Sequence, residues 1–194
     1  MSFSDVPVGK IAAVVTSLEM LQRPPPRPER DDLALTLARV PQPGLDWFRD
    51  LFRRAGEDWI WFSRLAMSDD QLAAIIHDPK VEVCVLTLGD TEAGLLELDF
   101  RAADECELSF IGLTAPFIGT GAGRFLMNRA LALAWSRPIR RLWVHTCTFD
   151  HPGALAFYLR SGFRPFRLQV EIADDPRRTG LAPRTAAPHV PLID

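Results

Sequence analysis

Lysine is scarce in this 194-residue chain: it occurs only at Lys10 and Lys80, and arginine carries nearly all the positive charge. With a net charge of −3 and no basic stripe, the chain lacks the electrostatic footprint of sequence-independent nucleic-acid binding. The arginine bias reads as a compositional habit, not as a site. Cysteine is equally sparse. Cys84, Cys106 and Cys147 are odd in number and never spaced as a CxxC pair, so neither a disulfide framework nor a zinc cage is indicated, and a reducing compartment fits. Long apolar runs are missing as well. The run from Ile11 to Val15 is too short to span a bilayer, and no signal-peptide layout stands out. A soluble, cytoplasmic protein is expected, with neither a nucleic-acid nor a membrane partner; a homodimer is left open. His77 and His189 show no ligand spacing, and no metal is expected. Tyrosine occurs once, at Tyr158, against twelve Phe and five Trp.

What is present suits one domain with decorated ends: 47% of the residues are hydrophobic and 24% charged, enough to bury a full core. Residues 1–29 read as an N-terminal strand, Lys10 to Met20, and a stiff linker at Pro24, Pro25, Pro26 and Pro28. Residues 30–172 carry the periodic segments. Leu33 to Val40 alternates as a strand. Trp47, Phe48, Leu51 and Phe52 recur at helical spacing up to Gly56. Ser68-Asp69-Asp70-Gln71 is a capping-box pattern ahead of a helix that buries Leu72, Ile75 and Ile76. Val81 to Leu88 and Gly94 to Phe100 flank Gly89-Asp90 as a hairpin, and Glu105 to Leu113 extends it into a meander. A helix to about Ser136, a strand from Leu142 to Thr146, a helix from Gly153 to Arg160 and a strand from Phe163 to Ile172 follow. Residues 173–194, rich in Pro, Arg and Ala, read as an irregular tail.

The most informative stretch is Ile118-Gly119-Thr120-Gly121-Ala122-Gly123-Arg124, where a strand-like run passes through three alternating glycines into an amphipathic helix. Glycine lets successive backbone N–H groups converge, and the helix start adds unpaired amides and the positive end of its dipole. Such a turn suits a phosphate-bearing ligand. A dinucleotide fingerprint fails because Arg124 occupies its third glycine and a meander precedes the turn. A kinase-type P-loop fails for want of a following Gly-Lys-Ser or Gly-Lys-Thr.

The element order, the glycine turn and the downstream block Asp150-His151-Pro152-Gly153-Ala154-Leu155-Ala156-Phe157-Tyr158-Leu159-Arg160-Ser161-Gly162-Phe163 together resemble the GNAT superfamily of acyl-CoA-dependent N-acyltransferases, over roughly Leu33 to Val170. Gly121 and Gly123 fill the glycine positions of that superfamily's pyrophosphate loop; Ile118 stands where Arg or Gln is usual, and His151 where Asn is common. The resemblance implies an α/β (α+β) fold: a central mixed, mostly antiparallel sheet splayed at the cofactor site, flanked by helices, here with an extra N-terminal strand. It implies acetyl-CoA as acyl donor, held by backbone amides of Ile118, Gly119, Thr120, Gly121, Ala122, Gly123 and Arg124, with His151 near the pantetheine arm. It further implies an oxyanion met by amides near Leu113 and Thr114.

Acyl transfer to an amine needs a base for the ammonium and an acid for the departing thiolate. Tyr158 matches the superfamily's frequent catalytic tyrosine, and Phe would have served for packing alone. Glu107 aligns with a strand glutamate that serves as base in some members. Alternation places Glu105, Glu107, Ser109 and Ile111 on one strand face and Cys106, Leu108 and Phe110 on the other. His145 and Cys147 share one side of a strand, so a Cys–His acyl-enzyme route is chemically conceivable, whereas the resemblance implies direct transfer in a ternary complex. Trp59, Trp61 and Phe62 lie where the acceptor cleft of such folds is bordered. The acceptor is a small-molecule or protein amine, with a mild preference for cations from the net charge. A non-catalytic acyl-CoA sensor on the same fold is the alternative.

Overall fold

Among the described residues seven strands join in one sheet: β1 (Lys10–Met20), β2 (Leu35–Arg39), β3 (Val81–Leu88), β4 (Thr91–Asp99), β5 (Glu105–Leu113), β6 (Arg141–Cys147) and β7 (Arg164–Asp174). The described residues also form helices α1 (Leu45–Gly56), α2 (Asp69–Ile76), α3 (Ala122–Ala134), α4 (Ala154–Arg160) and the single turn α5 (Pro176–Thr179), with short 3-10 turns at Glu57–Trp59 and Ala115–Phe117. The computed structural model describes residues 3–30 and 32–193. The remaining positions, at the outer ends of the 1–29 and 173–194 segments and just inside 30–172, lie outside the described residues.

Local chemistry explains three of the element boundaries. Gly89 takes a φ of +57°, which lets a two-residue turn join β3 to β4. At the start of α2, the Gln71 amide donates to Ser68 Oγ and the Ser68 amide donates to Gln71 Oε1, completing the capping box expected from the sequence. Gly162, at φ +102°, ends α4 in the left-handed conformation that a helix terminus commonly uses.

The sheet order is β2-β3-β4-β5-β6-β1-β7, antiparallel throughout except for β5 against β6. Two cores lie on its opposite faces. On one, Phe48, Leu51 and Phe52 of α1 and Leu72 and Ile76 of α2 pack on Val81, Val83 and Val85. On the other, Leu126, Met127, Ala130 and Leu131 of α3 pack with Leu86, Leu96, Leu98, Cys106, Leu108, Tyr158 and Phe163. Both faces of β3 are therefore buried, and its continuous apolar run has that cause.

The N-terminal strand is interior. β1 pairs with β6 on one side and β7 on the other, so it joins the core sheet to its last strand. The proline-bearing segment then straps across α3: Asn128 accepts from the Arg27 amide and donates to Arg27 O and Glu29 Oε1, while Arg27 Nη1 donates to Arg160 O. At the other end, the Arg177 guanidinium is buried between Asp175 and the carbonyls of Ala186, Val190 and Pro191. That clamp fixes the C-terminal segment, which packs Ala187 and Val190 on Ile11 and Ile60.

One expectation is corrected. Strict alternation along β5 fails because Glu97 pairs with Phe110 while Leu98 pairs with Leu108, leaving Ser109 as the extra residue of a bulge. Beyond it the faces exchange. Ile111 and Leu113 join the α3 core with Cys106 and Leu108, and Phe110 packs on Phe52 and Trp61 beside α1.

Candidate active site

The bulge stands where the sheet opens. β5 and β6 pair only from Glu105 opposite Arg141 to Glu107 opposite Trp143, although β5 continues to Leu113 and β6 to Cys147. Their last halves diverge into a wedge. The Thr114 amide donates to Ala93 O on the β4 side at 2.9 Å. Amide direction alternates along a strand, so the Leu113 amide points into the wedge. Of these two positions, Leu113 has the free donor; Thr114 is buried and its hydroxyl is also turned toward Glu92 O and Ala93 O.

At the wedge's end the chain enters the glycine turn. Gly119 and Gly121 have φ of +80° and +103°, values that side-chain-bearing residues rarely adopt. Thr120 Oγ1 donates to Phe117 O and accepts from the Ala122 amide, fixing the loop from inside. The Ile118 amide donates to Ala115 O and the Arg124 amide to Gly121 O. The amides of Gly119, Gly121 and Gly123 have no partner among the described residues. Three unmatched donors at alternate positions beside a 13-residue helix make an anion nest. Space above Gly119 is open. Ile118 presents no charge here, yet arginines do approach. The Arg30 side chain lies over Gly121, with Cδ 2.8 Å from where a Cβ would stand, and its head group is paired with Asp32. Burial, followed by the nearness of Arg27 and Arg160, holds the Arg124 guanidinium below its ordinary pKa, a sign of crowded positive charge.

Tyr158 projects from α4 into the α3 core, edge-on to Phe163, and is 8% exposed. Its hydroxyl has no hydrogen-bond partner among the described residues and is not sealed from solvent. Burial, reinforced by the Asp150 carboxylate, pushes its pKa well above the phenol range, so the proton stays on. Asp150 itself accepts from Thr146 Oγ1 at 2.7 Å, the Cys147 amide at 2.9 Å and Trp61 Nε1 at 3.1 Å. Trp61 thereby bridges the wedge. Gly112 permits that crossing, since a Cβ there would lie 2.7 Å from the indole ring.

On the α1 face, Glu107 Oε1 lies 3.6 Å from His145 Nδ1, and this carboxylate raises the imidazole pKa. Glu107 opens onto a cleft of about 460 Å³ with Asp99, Arg101, Glu105 and Trp143. A neighbouring groove of about 530 Å³ shares Glu105 and Trp143 and adds His145 and β7. Beneath them, fully buried Glu97 is held by Arg64 at 2.5 Å. Burial pushes the Cys147 thiol up to about 11, with Asp150 adding to the rise, so it is no ready nucleophile at neutral pH.

The structure brings Leu113 and the turn from Ile118 to Arg124 to one end of the wedge, with Tyr158 on the α3 face and Glu107 on the other. The His151 ring lies edge-on against Trp59 and its Nδ1 accepts from the Gly153 amide. Phe62 packs with Ile11 and Ile60. Sequence reasoning missed Arg30, the hub role of Asp150 and the Arg64–Glu97 pair. Glu97 had a signal, a lone carboxylate amid Leu95, Leu96 and Leu98; Arg30 had none.

A family model described as the acetyltransferase (GNAT) family matches residues 44–163. No curated protein sequence matches the chain. Among solved structures, a GCN5-related N-acetyltransferase from Sphaerobacter thermophilus is similar at TM-score 0.63 and 15% identity over 84% of this chain, which spans 52% of that longer protein. An IAA acetyltransferase from Bacillus cereus is similar at TM-score 0.55 and 22% identity, covering 69% of this chain and 79% of that one. A ribosomal-protein-alanine N-acetyltransferase from Escherichia coli is similar at TM-score 0.55 and 18% identity, covering 71% and 90%.

Proposed function

The chain belongs to the GNAT acetyltransferase family, and from that premise we propose that it moves an acetyl group from acetyl-CoA to an amine acceptor by direct attack in a ternary complex. The observation that carries the proposal is the set of three glycine amides, unpartnered among the described residues, at the mouth of an open wedge. They fit a pyrophosphate, and the Arg27, Arg124 and Arg160 cluster supplies the positive charge that Ile118 does not.

Each remaining role falls to a residue along the wedge. The Leu113 amide donates to the thioester oxygen as negative charge develops there. Glu107, directly or through a water, takes the proton released as the amine attacks. Tyr158 gives its proton to the sulfur as the carbon–sulfur bond breaks, and burial keeps that proton available at neutral pH. Trp61 and Asp150 hold the two sides of the wedge in register. The carboxylates of Asp99, Glu105 and Glu107 line the acceptor cleft with Arg101, which favours a cationic amine.

Two measurements test this reading. In Gly121→Ala, the left-handed φ costs about 1–3 kcal/mol, and the new methyl meets Arg30. CoA binding by calorimetry is expected to weaken roughly tenfold; unchanged affinity removes the turn from the site. Release of CoA from acetyl-CoA across an amine panel is expected to be fastest with cationic acceptors. Failure to bind any CoA thioester overturns the proposal.

A further inference from the structure

β7 is the last strand of the sheet, 11 residues long, and its outer edge has no neighbouring strand among the described residues. Its face on the α3 side is apolar and bare: Leu168 is 71% exposed, Val170 67% and Ile172 53%, continued by Val14 of β1 at 46%. A long, flat, apolar edge is a template for pairing. Its charges indicate with what.

The direction of each backbone group along β7 can be worked out. The Val14 amide and carbonyl both bond Thr148 on the β6 side. Val15 and Ala13 therefore turn theirs toward Gln169 and Glu171. At the strand's end the Asp175 amide donates to Gly9 O, in the same phase. Leu168, Val170 and Ile172 consequently direct their amides and carbonyls outward. A second copy added antiparallel about a two-fold axis must match outward groups to outward groups, so it centres on a residue; Arg167 or Glu171 at the axis would face its own like charge, which leaves Leu168, Gln169 or Val170 at the middle of the strand. Centring on Leu168 sets Arg167 against Gln169 and Glu171 against Pro165. Centring on Val170 sets Arg167 against Ala173 and Gln169 against Glu171. Centring on Gln169 sets Arg167 against Glu171 twice and Leu168 against Val170 twice. Opposite charges directly across an antiparallel pair are favourable and like charges are not, so only this register is complementary throughout.

We propose that the protein is a homodimer in which the two β7 strands pair antiparallel about Gln169, joining the sheets into one. The contact is isologous and closed, which consumes the edge and stops further growth. It also sets the partner's Arg167 beside Glu171, which lines the groove shared with His145.

Charge reversal tests the register in the full chain. Sedimentation is expected to show a dimer for the parent, a dissociation constant at least roughly tenfold weaker for Glu171→Arg, and recovery in the double variant Arg167→Glu with Glu171→Arg. Both positions are exposed, and circular dichroism confirms that each variant is folded. A second readout uses the axis itself. Opposed Gln169 residues form a non-hydrogen-bonded pair with Cα atoms about 4.5 Å apart, within disulfide reach. Gln169→Cys should therefore cross-link under mild oxidation, and Leu168→Cys should not. A monomeric parent, a dimer indifferent to Glu171→Arg, or equal cross-linking at both positions overturns the proposal.

Discussion

Tyr158→Phe lowers acetyl transfer by about 10²–10⁴-fold while leaving CoA affinity, measured by calorimetry, unchanged. The ring is what the core needs, packed edge-on against Phe163, and Phe preserves it. The hydroxyl has no protein partner to lose among the described residues, so its removal costs little folding energy. The loss falls on the step in which sulfur departs. Because burial and Asp150 hold the phenol proton on well above the ordinary range, Tyr158 contributes no alkaline limb to the rate profile near neutral pH. Equal turnover in the parent and the Phe variant would remove Tyr158 as the acid. A sensor would show no amine-dependent turnover in either protein while both bind CoA.

The parts of this fold that were legible in the sequence are those fixed by near neighbours. A capping box needs only Ser68 and Gln71; a two-residue turn needs only Gly89 and Asp90; the nest needs alternate glycines before a helix. Tyr158 stands out in the sequence through its singularity and its block. What stayed hidden depends on residues far apart in the chain. The bulge at Ser109 arises from the pairing of β5 with β4, and no alternation within β5 announces it. β1 reads as a strand, but its place between β6 and β7 is set by partners far along the chain, from Leu142 opposite Met20 to Asp174 opposite Lys10. Arg30 reaches Gly121 from a strap that Asn128 holds at Arg27 and Glu29. His151 sits in a motif position yet turns to Trp59, a contact made by the irregular segment after α1.

Arg64→Met destabilises the fold by about 3–5 kcal/mol, and by more at alkaline than at acidic pH. Glu97 has no exposed surface, and Arg64 is its counter-charge. Desolvation already raises the Glu97 carboxyl pKa against the pull of Arg64; without that guanidinium it rises further. A carboxyl whose folded pKa exceeds its unfolded value binds more protons in the native state, so stability falls as pH climbs from the unfolded value through the folded one. Below that window the protonated group is tolerated, and the variant should approach the parent in denaturant melts. Replacing both partners, Arg64→Met with Glu97→Leu, removes the buried charge altogether and is expected to recover stability to within about 1 kcal/mol, since packed apolar pairs commonly match buried ion pairs. A single-variant loss below about 1 kcal/mol with no pH trend would mean that Glu97 finds water or another partner. The pair also faces the bulge, because Glu97 is the residue opposite Phe110 where β5 exchanges its faces, and Arg64 caps that ring at 5.0 Å. The double variant should therefore fold well and still transfer poorly, separating the stability of the sheet from the alignment of Glu107 at the wedge.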